Sequence, residues 1–373
     1  MRILYINDAW AIWGGLERVL IDKMNYLSNE DGYEIYSITY EQGANPIPFP
    51  LNPQIVHHDL DIRLYRQYRY CGLKKYYYKY KLEKLLIKRL QSEIRQIMPD
   101  VIVCPRADIL DYIFKAKGNI PLVLESHSSY KWIAVEKKGF VRFFKQSYYN
   151  NLVKHVQMVV ALTEGDAIEW RKITNHVCVI PNVVHLNHSR RFSDCQSKSV
   201  IFVGRLCVQK DIHSLLQIWS LVHQRFPEWQ LHIYGACENG SESLPSTIER
   251  MNANITLHQP TRQIFDKYLE SSLLLLTSQY EPFGLVLPEA MSCGLPIVAF
   301  DCPYGPADII IDDQDGFLIK NRDIHAFAEK VCLLIENPEL RKMMGQAGVL
   351  SAQRYDASRI MPMWKDLFDH LAS

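Results

Sequence analysis

Apolar runs too short to be helices recur along the whole chain, and between them apolar residues return every three or four positions. Residues 2–6, 35–39, 101–104, 122–125 and 159–162 read as buried strands in the first half, and residues 200–203, 231–234, 255–257, 273–277 and 297–299 in the second. Runs that are apolar throughout, rather than alternating, belong to strands covered on both faces. Helical stretches between them act as crossovers that join the strands into parallel sheets. One helix carries the pattern in full. Asp211 is placed to cap it, Ile212, Leu215, Leu216, Trp219, Val222 and Phe226 recur at helical spacing, and Pro227 ends it. The expectation is an α/β protein.

At 373 residues, against about 150 per domain, the chain is expected to form two domains. The polar stretch 185–198 separates a strand-like run at 177–180 from the one at 200–203, which puts the boundary after residue 185. Two successive parallel-sheet domains leave a cleft where the carboxyl ends of their strands meet, and ligands favour such places. Hydrophobic residues at 48% and charged residues at 22% exclude collagen-like, disordered and disulfide-framework proteins. Nine cysteines without a C-x-x-C pair read as reduced, mostly buried thiols of a cytoplasmic chain. The first residues enter a strand directly, without the apolar core of a signal peptide, and no apolar run approaches the ~20 residues that span a bilayer.

A net charge of +1 hides an asymmetry: residues 1–185 hold 25 basic and 19 acidic side chains, and residues 186–373 hold 17 and 22. Residues 63–95 alone hold 11 basic side chains against Glu83 and Glu93, with Tyr65, Tyr68, Tyr70, Tyr76, Tyr77, Tyr78 and Tyr80 interleaved. A second basic, aromatic segment spans 131–154. Each cation near an anionic membrane is attracted by about 1 kcal/mol, and tyrosine favours the interface. The first domain is therefore expected to dock on an anionic membrane surface; a solvated helix face is the alternative. Nucleic acid suits the same composition, but it leaves the carboxylates of the second domain without a role and is not expected as a partner.

Candidate chemistry lies where strands end. Gly14 and Gly15 follow the first strand and precede a helical run, which suits an anion at a helix start and equally suits a tight turn. The G-x-G-x-x-G fingerprint of a nicotinamide enzyme is absent there. Arg205 leaves a strand end in Phe202-Val-Gly-Arg-Leu206 and Lys210 follows in the loop. A forked guanidinium and a point charge together suit a diphosphate, although lone surface cations are commonplace. The block 277–291 ends a strand at Thr277, places Glu281 in a loop, and puts Phe283, Gly284 and Leu285 at a helix expected to start near 284–285. Glu289 falls within that helix. Bare amides at a helix start favour negative charge. His127 follows the strand at 122–125; a lone histidine in such a place is more often structural.

Gly14-Gly15-Leu16-Glu17-Arg18, Gly204-Arg205 with Lys210, and Glu281-Pro-Phe-Gly284 with Glu289 together resemble family-4 retaining glycosyltransferases of the GT-B fold. Ile180-Pro-Asn182 and Asp315-Gly-Phe-Leu318 fit as well, and Asp301-Cys-Pro-Tyr-Gly-Pro-Ala-Asp308 resembles a subset that acts in bacterial surface-polysaccharide assembly. The resemblance implies two Rossmann-like parallel-sheet domains facing across a cleft: an acceptor domain at 1–185, a nucleotide-sugar domain at 186–357, and a helix at 358–373 crossing back to the first. It implies that Arg205 and Lys210 clamp a nucleotide diphosphate, that Glu289 takes the ribose hydroxyls, and that Glu281 with the Phe283, Gly284 and Leu285 backbone holds the donor sugar. It places His127 near the anomeric centre, and has Gly14 and Gly15 let the first domain close over the phosphates. The implied reaction moves a hexose or N-acetylhexosamine from a UDP-sugar to a growing, lipid-diphosphate-linked glycan. It keeps the anomeric configuration and uses neither metal nor cofactor, on a chain held peripherally at the inner face of the plasma membrane. A UDP-sugar epimerase, a phosphorylase, or an inactive sugar-nucleotide- or membrane-binding protein is the alternative.

Overall fold

The computed structural model describes residues 1–128, 140–238 and 244–372. The basic segment expected at 131–154 and the loop after Gly235 lie partly outside the described residues. The chain forms two compact units, one of Met1–Val183 with Ile360–Ser373, the other of Val184–Arg359.

In the first unit, β1 (Arg2–Ile6), β2 (Glu34–Thr39), β3 (Val56–Asp59), β4 (Val101–Cys104), β5 (Leu122–Ser126), β6 (Met158–Ala161) and β7 (Val177–Val179) form a sheet in the order β3-β2-β1-β4-β5-β6-β7. In the second, β8 (Ser199–Val203), β9 (Gln230–Tyr234), β10 (Ile255–His258), β11 (Leu273–Leu276), β12 (Ile297–Phe300) and β13 (Gly316–Ile319) run β10-β9-β8-β11-β12-β13. Adjacent strands are parallel in both sheets. These are two Rossmann-like parallel-sheet units, and each reverses its strand order once, between β1 and β4 and between β8 and β11. At such a reversal the crossovers diverge to opposite faces and leave a crevice beyond the strand ends.

The strands read from apolar runs are present. β3 and β13 were not anticipated, because both are edge strands and neither is apolar throughout. β3 is Val-His-His-Asp, and β13 opens on a glycine. Helix Ile212–Arg225 starts where expected: the Asp211 carboxylate accepts from Ser214 N–H at 3.2 Å. The helix expected from 284–285 begins later, at Val286–Ser292. Gly284 sits at φ +96°, outside right-handed helical space, so the turn cannot start there. The closing helix Ala357–Ala372 buries Ile360, Met361, Trp364, Leu367 and Phe368, and Lys365 Nζ lies 2.6 Å from Glu30. The long helix α2 (Gly72–Ile97) buries Leu86, Leu90 and Ile94, all in its second half, with Leu82 partly buried against the same core.

Candidate active site

In the second unit the chemistry gathers at the strand-order reversal. After β8 the chain turns through Val208–Lys210. The stem of Lys210 lies against Gly204, where a Cβ would stand 3.1 Å from its Cε. Lys210 Nζ lies 2.5 Å from Glu281 Oε1 with side chains 11% and 5% exposed, and Ser278 Oγ donates to the same oxygen at 2.5 Å. Glu281 is fixed by its backbone as well. Its N–H donates to Pro303 O at 2.7 Å, and its carbonyl accepts from Tyr304 and Gly305 N–H at 3.0 and 2.9 Å. At Gly305 a Cβ would stand 1.8 Å from Phe283 O, so only glycine admits this approach. The loop that follows β11 thus lies directly on the loop that follows β12.

Arg205 reaches outward, with its side chain 63% exposed, its Nη1 2.9 Å from Glu238 Oε1 and its Nη2 donating to Gln209 Oε1 at 3.4 Å. Glu289 is buried in helix Val286–Ser292 and accepts from the Tyr268 hydroxyl at 3.2 Å. Cys302 has its thiol pushed up to about 12, first by burial and then by Glu281, and so stays neutral. Arg322 is a member that the sequence did not disclose. It donates to Ser278 O and Thr277 O at 2.9 and 3.0 Å, pairs with Asp211 at 2.5 Å, and stacks over Phe300 at 4.4 Å. It ties the end of β11 to the cap of helix Ile212–Arg225. Its hydrogen-bond partners lie 44 to 111 residues away, so no local signal marks it. Asp315 Oδ1 accepts from Ile311 N–H at 2.7 Å, which makes that motif residue a turn-holder.

In the first unit α1 (Gly15–Ser28) starts within the Gly14-Gly15 pair, with Gly14 as its N-cap. Gly14 is extended, and a Cβ there would stand 2.6 Å from Glu17 Oε2, so the buried glutamate occupies the space that a side chain at 14 would need. At the strand-order reversal Arg106, beyond β4, pairs with Asp8, beyond β1, at 2.6 Å and with Asp108 at 2.7 Å, a cluster not anticipated from sequence. His127 stands just past β5. Its side chain is 7% exposed, and its Nε2 lies 3.0 Å from Glu125 Oε1, too bent for a hydrogen bond. Glu125 Oε2 pairs with Lys23 Nζ, and that ammonium lies 3.6 Å from the Trp364 ring centroid and 5.4 Å from that of Tyr5. Burial pulls Lys23 down to about 8 despite the attraction of Glu125. Burial would raise Glu125, but Lys23 and His127 outweigh it and hold the carboxyl at about 2. The neighbouring Ser126 hydroxyl donates to Asp166 at 3.2 Å, and Trp170 Nε1 donates to both.

Among the described residues no helix is long and apolar enough to cross a membrane. Residues 187–350 match the family model described as glycosyl transferases group 1. The chain is 27% identical to an uncharacterized glycosyltransferase of Haemophilus influenzae, over 95% of this chain and 96% of that one. It is 26% identical to the amylovoran biosynthesis glycosyltransferase AmsD of Erwinia amylovora, over 99% of both. The fold resembles that of a TarM mutant of Staphylococcus aureus in complex with fondaparinux, alpha-GlcNAc-glycerol and UDP. There the TM-score is 0.80 at 16% identity, over 98% of this chain and 99% of that chain.

Proposed function

We propose that this chain, whose residues 187–350 match the glycosyl transferases group 1 model and which is similar along its length to a polysaccharide-biosynthesis glycosyltransferase, is a GT-B glycosyltransferase that carries out a retaining, family-4 type of hexosyl or N-acetylhexosaminyl transfer. The donor is a UDP-sugar and the acceptor a hydroxyl of a growing, lipid-linked glycan. The observation that carries this reading is the Lys210–Glu281 pair at the β8–β11 reversal, with Arg205 five residues before Lys210 and Glu289 in the first turn of the helix that follows Glu281.

Arg205 and Lys210 stabilise the departing diphosphate as negative charge builds on it, a task for preorganised cations that needs no metal. Glu289 binds the ribose hydroxyls, and Tyr268 already orients its carboxylate. Glu281 and the Phe283–Leu285 backbone receive the sugar hydroxyls. Glu281 is committed to Lys210 and Ser278, which suits binding rather than nucleophilic attack. The acceptor oxygen bonds to the anomeric carbon on the face from which the phosphate leaves, and the leaving phosphate oxygen takes the acceptor proton. His127 acts on the transferred sugar, and Gly14 and Gly15 admit phosphate to the start of α1. UDP bound to the TarM protein of similar fold supports the choice of nucleotide.

The same reading has the first unit dock on an anionic membrane. From Gly72 to Leu85 α2 contributes no buried residue, and Tyr76, Tyr77 and Tyr80 stand 62 to 69% exposed among lysines. A thermal shift against UDP, GDP and ADP tests the donor site, since ligand at 100 times its Kd stabilises by about 2.7 kcal/mol. UDP release from UDP-sugars that requires a glycan acceptor and survives EDTA is the expected result. Sugar conversion without acceptor means an epimerase, dependence on inorganic phosphate means a phosphorylase, and no response to any nucleotide sinks the reading.

A further inference from the structure

The face that α1 turns inward is made of Val19, Leu20, Ile21, Met24 and Leu27, and into it the sequence inserts Lys23, 1% exposed. A lone ammonium there is strongly disfavoured, and a buried ion pair seldom stabilises more than apolar side chains of the same volume. Stability therefore does not account for this lysine. Its geometry does. The carboxylate it holds is shared: Oε2 of Glu125 takes the ammonium and Oε1 faces His127 Nε2 at 3.0 Å. The other side of the ammonium is closed by the ring face of Trp364, at 3.6 Å, on the helix Ala357–Ala372, with Tyr5 beyond. Lys23 cannot swing away and Glu125 cannot turn without leaving it unpaired. His127 Nε2 is sealed from solvent and has no other polar partner among the described residues.

We propose that Lys23 and Glu125 are positioning residues for His127, the ammonium pinning the carboxylate and the carboxylate fixing the imidazole so that Nε2 carries the proton and Nδ1 is the nitrogen left for substrate. This rests on the reading of His127 as a group that acts on the transferred sugar. A carboxylate behind a histidine sets which ring nitrogen is protonated. The bent contact here is of the kind that tightens when substrate binds. Trp364 gives the closing helix a part in this: it is the lid over the ammonium, and the chain end becomes a component of the site's support.

The test compares wild type with Lys23→Met, with the double variant Lys23→Met/Glu125→Leu, and with His127→Ala. The double variant removes both charges together, so no buried ion is stranded if the single variant fails to fold. With UDP-sugar and acceptor, Lys23→Met and the double variant are expected to lose about tenfold or more in kcat, as supporting residues behind a ligating or catalytic histidine do. Donor KM should move less than about threefold. Nitrogen-15 histidine NMR should find one Nε2–H tautomer for His127 in wild type and a mixture in the double variant. A folded double variant with wild-type kcat and an unchanged His127 tautomer overturns the proposal and leaves the pair structural. If His127→Ala keeps full kcat, the reading of His127 falls by itself. The tautomer then decides the positioning alone: a mixture in the double variant upholds it, and an unchanged ring overturns it.

Discussion

Each unit holds one buried lysine–glutamate pair at the carboxyl end of its sheet, and the two are built differently. Lys23 and Glu125 are 1% and 2% exposed, come from a helix interior and a strand, and are closed by an indole face. Lys210 and Glu281 are 11% and 5% exposed, come from two loops, and meet at a carboxylate oxygen that also accepts from the Ser278 hydroxyl. A sealed pair cannot exchange partners, whereas an open one can release its lysine to an arriving phosphate. On the proposed function, the same two residue types serve a fixed support in one unit and a diphosphate-binding site in the other.

Removing one partner of each pair is the sharpest way to break this comparison. Lys23→Met strands a carboxylate with no water, and should cost about 3–5 kcal/mol of stability in urea unfolding. Lys210→Met leaves Glu281 its serine donor and some solvent, so its midpoint should fall clearly less. Its kcat should instead drop by roughly 10²–10³, the usual cost of a lost donor to developing charge. Equal midpoints for the two variants would erase the distinction between sealed and open.

The next effect is one of pH. Glu125, faced by Lys23, His127 and Tyr5, is held at about 2 against an ordinary 4.5. Its folded pKa is depressed, so its stabilisation is complete above pH 4.5 and is lost as pH falls toward 2. Lys23 shifts from 10.5 to about 8. The folded state therefore gives up that proton before the unfolded state does, and its contribution rises between pH 8 and 10.5. Urea midpoints of the Lys23→Met/Glu125→Leu variant should fall less steeply than wild type below pH 4.5 and rise less above pH 8. Parallel curves would mean that the pair does not titrate this way.

The difference between the pairs also explains what the sequence could disclose. Arg205, Lys210, Glu281 and Glu289 lie near strand ends in a local order, and the apolar runs place those ends. Asp211 caps its helix through a contact three residues on. Lys23 meets Glu125 across 102 residues and Arg322 meets Asp211 across 111, and no periodicity carries such distances. In sequence Lys23 is one more charge on a helix, and its burial depends on the closing helix brought over it. β3 and β13 escaped for a related reason: their pairing comes from the neighbouring strand rather than from their own polar or glycine-led residues.

A smaller change sharpens the open pair's surroundings. Glu289→Ala should weaken UDP binding about tenfold, near 1.4 kcal/mol, by calorimetry. The glutamate is buried beside Tyr268, so the alanine leaves a tyrosine hydroxyl without this acceptor, and a modest loss of thermal stability should accompany it. Unchanged UDP affinity would move the ribose elsewhere.

The smallest effect belongs to the surface of the first unit, far from its sealed pair in character. Tyr76, Tyr77 and Tyr80 are exposed on the half of α2 that contributes no buried residue, while Lys75 lies over Tyr68 at 4.4 Å and Lys74 over Tyr70 at 4.8 Å. Aromatic rings that carry cations on their faces suit a boundary where head groups meet water, and no core depends on them. Replacing the three exposed tyrosines by serine should shift the melting temperature by no more than about 5 °C, as each surface change stays within about 0.5 kcal/mol. Flotation with phosphatidylserine vesicles should fall several-fold at low salt. A variant that still floats like wild type would assign the attraction to the lysines alone, and loss of stability would mean that the tyrosines pack against the fold after all.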